Sequence, residues 1–96
     1  MNVIIAAGGT GGHLYPAIAL AHEFLRQEPS TEIRFVGTSR GIEVKVLPHE
    51  GFELNTITAL PVMGLGPRQA LTALFALPRG VRESVAILKQ HRADLV

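Results

Sequence analysis

Val3-Ile4-Ile5-Ala6-Ala7-Gly8-Gly9-Thr10-Gly11-Gly12-His13-Leu14-Tyr15-Pro16-Ala17 is the stretch that decides the fold. Its first five residues form a short apolar run rich in β-branched side chains and stopped by two glycines, the pattern of a buried strand. Beyond the glycines, Leu14, Ala17, Ile18, Ala21 and Leu25 recur at helical spacing, with His22, Glu23, Arg26 and Gln27 on the other face. Pro16 belongs in a first helical turn, where its missing N–H costs little, so the helix is expected to start near His13. Pro29-Ser30 ends it, and Ile33-Arg34-Phe35-Val36 follows as a second strand stopped at Gly37. Strand, loop, helix and strand in this order make a right-handed crossover with parallel strands.

Outward from this unit, Ile42-Glu43-Val44-Lys45-Val46 alternates apolar and polar, which taken alone predicts a strand. The strand-like run at 52–57 argues otherwise, because a parallel return needs a crossover of about a dozen residues. Topology therefore predicts a helix here, with Gly51 at the position of a C′ glycine. Residues 60–67 hold Pro61, Gly64, Gly66 and Pro67 and read as a loop. Leu71, Leu74, Phe75, Val81, Val85 and Leu88 then return to helical spacing, and Pro78 is expected to kink or split that segment into two helices. Ala93-Asp94-Leu95-Val96 opens a fourth strand. The expected fold is α/β, a Rossmann-like, doubly wound parallel sheet. Ending on a half-begun strand, residues 1–96 are expected to be part of a longer domain.

Composition narrows the class. The 96 residues are 47% hydrophobic and 18% charged, with a mean hydropathy of +0.27, which excludes a disordered chain. The longest apolar run, Val3 to Ala7, is far short of the roughly 20 residues that cross a bilayer. With no Cys there is neither a disulfide framework nor a Cys-based zinc site, and a reducing compartment is consistent. No basic segment precedes an apolar, cleavable one, so no signal peptide is expected. The net charge is +1 but unevenly spread. Residues 1–60 carry four basic and six acidic side chains, whereas residues 61–96 carry five basic and two acidic. This basic half is Leu-rich and lacks interleaved aromatics, which suits an anionic lipid surface better than nucleic acid. Leu71, Leu74 and Phe75 with Arg68, Arg79 and Arg82 are the membrane-facing candidates; an ordinary solvated helix face is the other reading.

Chemistry concentrates in Gly8-Gly9-Thr10-Gly11-Gly12-His13. Four glycines in five positions let the backbone turn sharply and let a ligand approach closely. The helix that follows offers unpaired N–H groups and a positive dipole end, so Gly8 and Gly9 are read as a phosphate loop. In an open α/β sheet this loop lies at the carboxyl ends of the strands, where ligands bind. A P-loop is excluded, because no Lys occurs before Lys45. A dinucleotide fingerprint fits poorly: counted from Gly9 its third glycine falls on Leu14, and strand two ends in Thr38-Ser39-Arg40 instead of an acidic residue. That arrangement has room for a 2′-phosphate, which keeps an NADP-binding domain as a distant alternative. His13, directly after the glycines, is placed to take a proton from an attacking hydroxyl or to hydrogen-bond a sugar. Tyr15 is expected to pack or line the cleft. His22, His49 and His91 lack metal-ligand spacing, and Glu23, Glu28, Glu43, Glu50 and Glu53 are expected on solvated faces.

The run Gly8-Gly9-Thr10-Gly11-Gly12-His13-Leu14-Tyr15-Pro16-Ala17 resembles the glycine-rich signature of the peptidoglycan N-acetylglucosaminyltransferases. Phe35-Val36-Gly37-Thr38, Arg40-Gly41-Ile42-Glu43 and Gly51-Phe52-Glu53-Leu54 resemble the same family in the same order and spacing, so the likeness covers essentially the whole chain. One departure is visible: after Val62 the family usually places an Arg-rich turn, and this chain reads Met63-Gly64-Leu65-Gly66-Pro67. The resemblance implies a GT-B enzyme, in which two Rossmann-like domains face each other across a cleft. Such an enzyme moves N-acetylglucosamine from UDP-GlcNAc to the C4 hydroxyl of the muramoyl sugar of undecaprenyl-linked lipid I, giving lipid II with inversion. It uses no cofactor beyond its substrate and no structural metal. Carried over, Thr10, Gly11 and Gly12 would contact substrate and His13 would be the candidate base. The chain would be the front of the N-terminal acceptor domain, without the C-terminal nucleotide-sugar domain, at the cytoplasmic face of the bacterial inner membrane as a peripheral protein. A non-catalytic membrane- or substrate-binding half of a split glycosyltransferase is the alternative from another class.

Overall fold

The computed structural model describes residues 1–7, 11–58 and 66–96. Three strands and three helices alternate along the chain: β1 (Asn2–Ala6), α1 (Gly11–Gln27), β2 (Glu32–Gly37), α2 (Glu43–His49), β3 (Glu53–Thr56) and α3 (Pro67–Gln90). The sheet order is β1-β2-β3, and both pairings are parallel. β1 meets β2 from Asn2↔Glu32 to Ala6↔Val36, and β2 meets β3 from Arg34↔Glu53 to Gly37↔Thr56. On the far side of β1, Leu95 forms a parallel bridge with Val3, and its carbonyl accepts the Ile4 N–H at 2.9 Å. The chain has therefore crossed back over the sheet and begun to pair beside β1, as the 93–96 pattern predicts.

Period-two alternation explains why the sheet needs helices on both faces. Phe35 and Ala7 point to one face, where Leu14, Ile18 and Ala21 of α1 and Leu47 of α2 close over them with Phe52. Ile4 and Val36 point to the other, against Ile87 of α3. Phe35 is wholly buried and touches the Phe52 ring at 5.2 Å between centroids. Truncating such a ring to Ala costs about 3–5 kcal/mol.

The alternating segment at 42–46 lies in or beside a helix, as topology requires. Its end is tied by two bonds: Phe52 N–H reaches the Leu47 carbonyl at 2.9 Å and Gly51 N–H the Pro48 carbonyl at 3.1 Å. Gly51 has φ +84°, a left-handed conformation that an L side chain adopts only under strain, which is why glycine stands there.

Two helical expectations need correction. α1 starts at Gly11, two residues earlier than His13, so Pro16 stands inside it. Pro16 therefore withholds the bond to the Gly12 carbonyl, in the second turn of the helix, where only this one ladder bond is lost. α3 is one 24-residue helix and is not divided at Pro78. Pro78 deletes only its own bond to the Leu74 carbonyl, and both residues lie on the exposed side, where water can serve that carbonyl. The loop expected at 60–67 falls mostly on 59–65, outside the described residues; Gly66 and Pro67 are the N-cap and N1 residues of α3.

Candidate functional site

β1 has β2 on one side and the Leu95 bridge on the other, so strand order reverses at β1. Ligands of open α/β sheets bind beside the carboxyl ends of the strands at such a reversal. β1 ends at Ala6 and α1 begins at Gly11, so the glycine segment joins a strand end to a helix start at this point. Gly8, Gly9 and Thr10 are outside the described residues. Gly11 and Gly12 open α1, whose first N–H groups have no partner within the helix, the kind of backbone end at which anions bind. His13 is the third residue of α1 and its side chain is exposed. Tyr15 is 57% exposed and does not pack into the core.

Further along the same edge, the structure builds two clamps that sequence reasoning missed. Glu43, expected on a solvated face, is fully buried. Its Oε1 accepts the Thr38 N–H at 3.1 Å and the Thr38 hydroxyl at 3.2 Å, holding the turn after β2. Gly37 and Gly41 leave space for this carboxylate: a Cβ on Gly41 would lie 2.0 Å from Glu43 Oε2, and one on Gly37 3.0 Å from Glu43 Cγ. The signal was present in Gly37-Thr38-Ser39-Arg40-Gly41-Ile42-Glu43, where two glycines bracket a turn and a carboxylate stands in the first turn of the next helix. After β3 the same device recurs. Thr58 donates its N–H to Glu83 Oε2 at 2.8 Å and its hydroxyl to Glu83 Oε1 at 2.7 Å.

Between the two clamps lies a polar cleft of about 340 Å³ lined by Thr38, Ser39, Arg40, Thr56, Ile57, Thr58, Arg79 and Glu83. Arg79 Nε donates to Glu83 Oε1 at 3.1 Å. These bonds hold the Glu83 carboxyl below its ordinary value of 4.5; the Thr58 hydroxyl contributes most, then the Thr58 N–H, against the opposing effect of burial, with Arg79 adding to the lowering. Arg40 is exposed and makes no ion pair among the described residues.

Arg68, Leu71, Leu74 and Phe75 stand along the first half of α3, and Phe75 is 76% exposed. The helix buries Ala73, Gly80 and Ile87, a stripe at seven-residue spacing, so Leu71, Leu74, Phe75 and Arg82 lie away from the sheet. Arg79 is placed differently, over the polar cleft. His22 meets the Phe52 ring in a tilted contact, 5.2 Å between centroids and 58° between planes, and lies 3.7 Å from Glu50. Among the described residues no three His, Cys, Asp or Glu side chains gather as metal ligands, and no helix is long and apolar enough to cross a membrane.

This geometry sets the frame for the similarity to known proteins. Residues 3–96 match the glycosyltransferase family 28 N-terminal domain. The chain belongs to that family. It is 48% identical over all 96 residues to the UDP-N-acetylglucosamine--N-acetylmuramyl-(pentapeptide) pyrophosphoryl-undecaprenol N-acetylglucosamine transferase of Geobacter sp. (strain M21), and 48% identical to the protein of the same name from Myxococcus xanthus. It covers 26% and 25% of those proteins, so the family 28 domain seen here spans about a quarter of their length. Among solved structures it matches Acinetobacter baumannii MurG with a TM-score of 0.79 and 27% identity, over 98% of this chain and 27% of that one. The Rossmann-like parallel sheet is thus that of the N-terminal part of a GT-B glycosyltransferase.

Proposed function

We propose that this chain forms the acceptor-side part of an enzyme that transfers N-acetylglucosamine from UDP-GlcNAc to an N-acetylmuramyl-(pentapeptide) diphospho-undecaprenol. The observation that carries this reading is the glycine segment between β1 and α1 at the strand-order reversal, with His13 in the first turn of the helix. The names of the 48%-identical relatives support the substrates.

In this reading the N–H groups at the start of α1, with Thr10, Gly11 and Gly12, hold substrate phosphate and orient the two sugars. His13 takes the proton from the C4 hydroxyl of the muramoyl sugar while that oxygen attacks the anomeric carbon of N-acetylglucosamine. The bond to UDP breaks on the opposite side, so the anomeric centre inverts. The lipid tail of the acceptor places the enzyme at the cytoplasmic face of the cell membrane, with Leu71, Leu74, Phe75, Arg68 and Arg82 on the side of α3 that meets anionic headgroups.

The test is a hybrid in which these 96 residues replace the matching segment of the Geobacter protein. Formation of the disaccharide from UDP-GlcNAc and a soluble lipid I analogue is expected. A folded hybrid that leaves both substrates unchanged would overturn the reading. The 96-residue chain by itself is expected to be inactive, because displacement needs donor and acceptor held face to face and orientation supplies much of the rate.

A further inference from the structure

The polar cleft between the β2–α2 turn and α3 is a second place on the carboxyl edge where a ligand group fits, and the reading above leaves it unused. Its lining combines two guanidinium groups, Arg40 and Arg79, with the hydroxyl-bearing Ser39, Thr56 and Thr58 and one carboxylate, Glu83. That carboxylate is already engaged, accepting from the Thr58 N–H, the Thr58 hydroxyl and Arg79 Nε. The lining therefore keeps a net positive charge. Arg79 is held through Nε and lines the cleft, and Arg40 makes no ion pair among the described residues. A site with fixed donors and spare positive charge takes an oxyanion.

We propose that this cleft binds a carboxylate of the acceptor's peptide, with Arg40 as its principal ligand and Arg79 and Ser39 beside it. This rests on the transferase reading for the identity of the acceptor, whose name in the relatives includes a pentapeptide as well as a diphosphate. The cleft lies at the ends of β2 and β3, one to two strands from the end of β1, about 5–10 Å across the sheet. A five-residue peptide reaches up to about 17 Å when extended, enough to span that distance from a sugar held at β1. Every peptide ends in a carboxylate unless it is blocked, so the group required is present by chemistry alone. The Glu43 and Glu83 clamps make the cleft a built site: they fix the turn that carries Ser39 and Arg40 and the helix that carries Arg79.

The experiment is a titration of the ¹⁵N-labelled chain, followed by amide shifts, with an N-acetylated pentapeptide bearing a free C-terminal carboxylate. The same peptide as its C-terminal amide, and inorganic diphosphate, are the two comparison probes. The free carboxylate is expected to move the amides of Ser39, Arg40 and Arg79, and amidation or Arg40→Gln to weaken binding about tenfold, as loss of one charge-assisted contact does. Arg40→Lys should restore part of it. Equal binding of the amidated peptide, an unchanged Arg40→Gln variant, or diphosphate occupying the cleft in place of the peptide would overturn the assignment. Arg40 is exposed, so its variants keep the fold. Because the titration needs neither donor nor turnover, its failure is separable from failure of the hybrid transferase.

Discussion

Thr58 gives both of its donors to one carboxylate: its N–H lies 2.8 Å from Glu83 Oε2 and its hydroxyl 2.7 Å from Glu83 Oε1. This pair ties α3 to the end of β3 across 25 residues of chain, at the level where the polar cleft opens. The Glu83 carboxyl is held below 4.5 by these bonds. A carboxylate with a lowered folded pKa contributes stability above its unfolded value and loses that contribution as pH falls through its folded value. Thermal melts between pH 7 and pH 3 should therefore show Glu83→Gln less stable than the native chain near neutrality, with the gap closing below pH 4.5. A gap of constant size across that range would remove the ionised form of Glu83 from the account.

Gly80 is the contact that lets α3 approach. A Cβ there would stand 2.4 Å from the Thr58 carbonyl oxygen, which is backbone and cannot swing aside. On an exposed helix, Gly→Ala gains about 1 kcal/mol. Here the forced separation should outweigh that gain and leave Gly80→Ala about 1–3 kcal/mol less stable by urea denaturation. An equal or higher midpoint would mean that the helix yields more readily than the packing suggests.

Glu43 should behave as a structural carboxylate. Glu43→Ala leaves the Thr38 N–H and hydroxyl without their acceptor in a buried place, at a cost of about 1.5–3 kcal/mol. Glu43→Gln keeps the side-chain oxygen and should recover part of the loss. Urea midpoints of the two variants measure this directly, and equal midpoints would show that the acceptor oxygen is immaterial.

In the hybrid enzyme, His13→Ala should lower kcat by about 10²–10⁴-fold, the usual contribution of a positioned base. The KM for UDP-GlcNAc should change far less, because the lost interaction belongs to the transition state. Steady-state kinetics with both substrates varied decide it, and a raised KM with unchanged kcat would reassign His13 to holding a sugar.

The outward face of α3 should bind anionic vesicles. Each basic residue near such a surface is worth about 1 kcal/mol, so Arg68→Ala with Arg82→Ala should weaken sedimentation with anionic vesicles by about tenfold or more at low salt. Phe75→Ser should weaken binding to neutral and anionic vesicles alike. Equal sedimentation of the native chain with both vesicle types would remove the electrostatic part.

The sequence by itself determined the order of elements, their parallel pairing and the position of the glycine segment. Apolar runs at Val3, Ile33 and Phe52, each cut by glycine or proline, leave a chain this short few alternatives, and the crossover rule set the handedness. It determined α2 as well, because geometry forbids a parallel return without a crossover, and local alternation at 42–46 had to give way. Tertiary structure decided which carboxylates leave the surface to hold a turn. Glu43 and Glu83 look like surface residues in the chain, because the amide and hydroxyl that hold each lie 5 and 25 residues away. It also decided the length of α3, since one missing hydrogen bond at an exposed Pro78 does not outweigh a stripe of Ala73, Gly80 and Ile87 already committed to the sheet. Local pattern reports which backbone conformation a segment prefers; a buried carboxylate is stable only where folding has brought its donors to it.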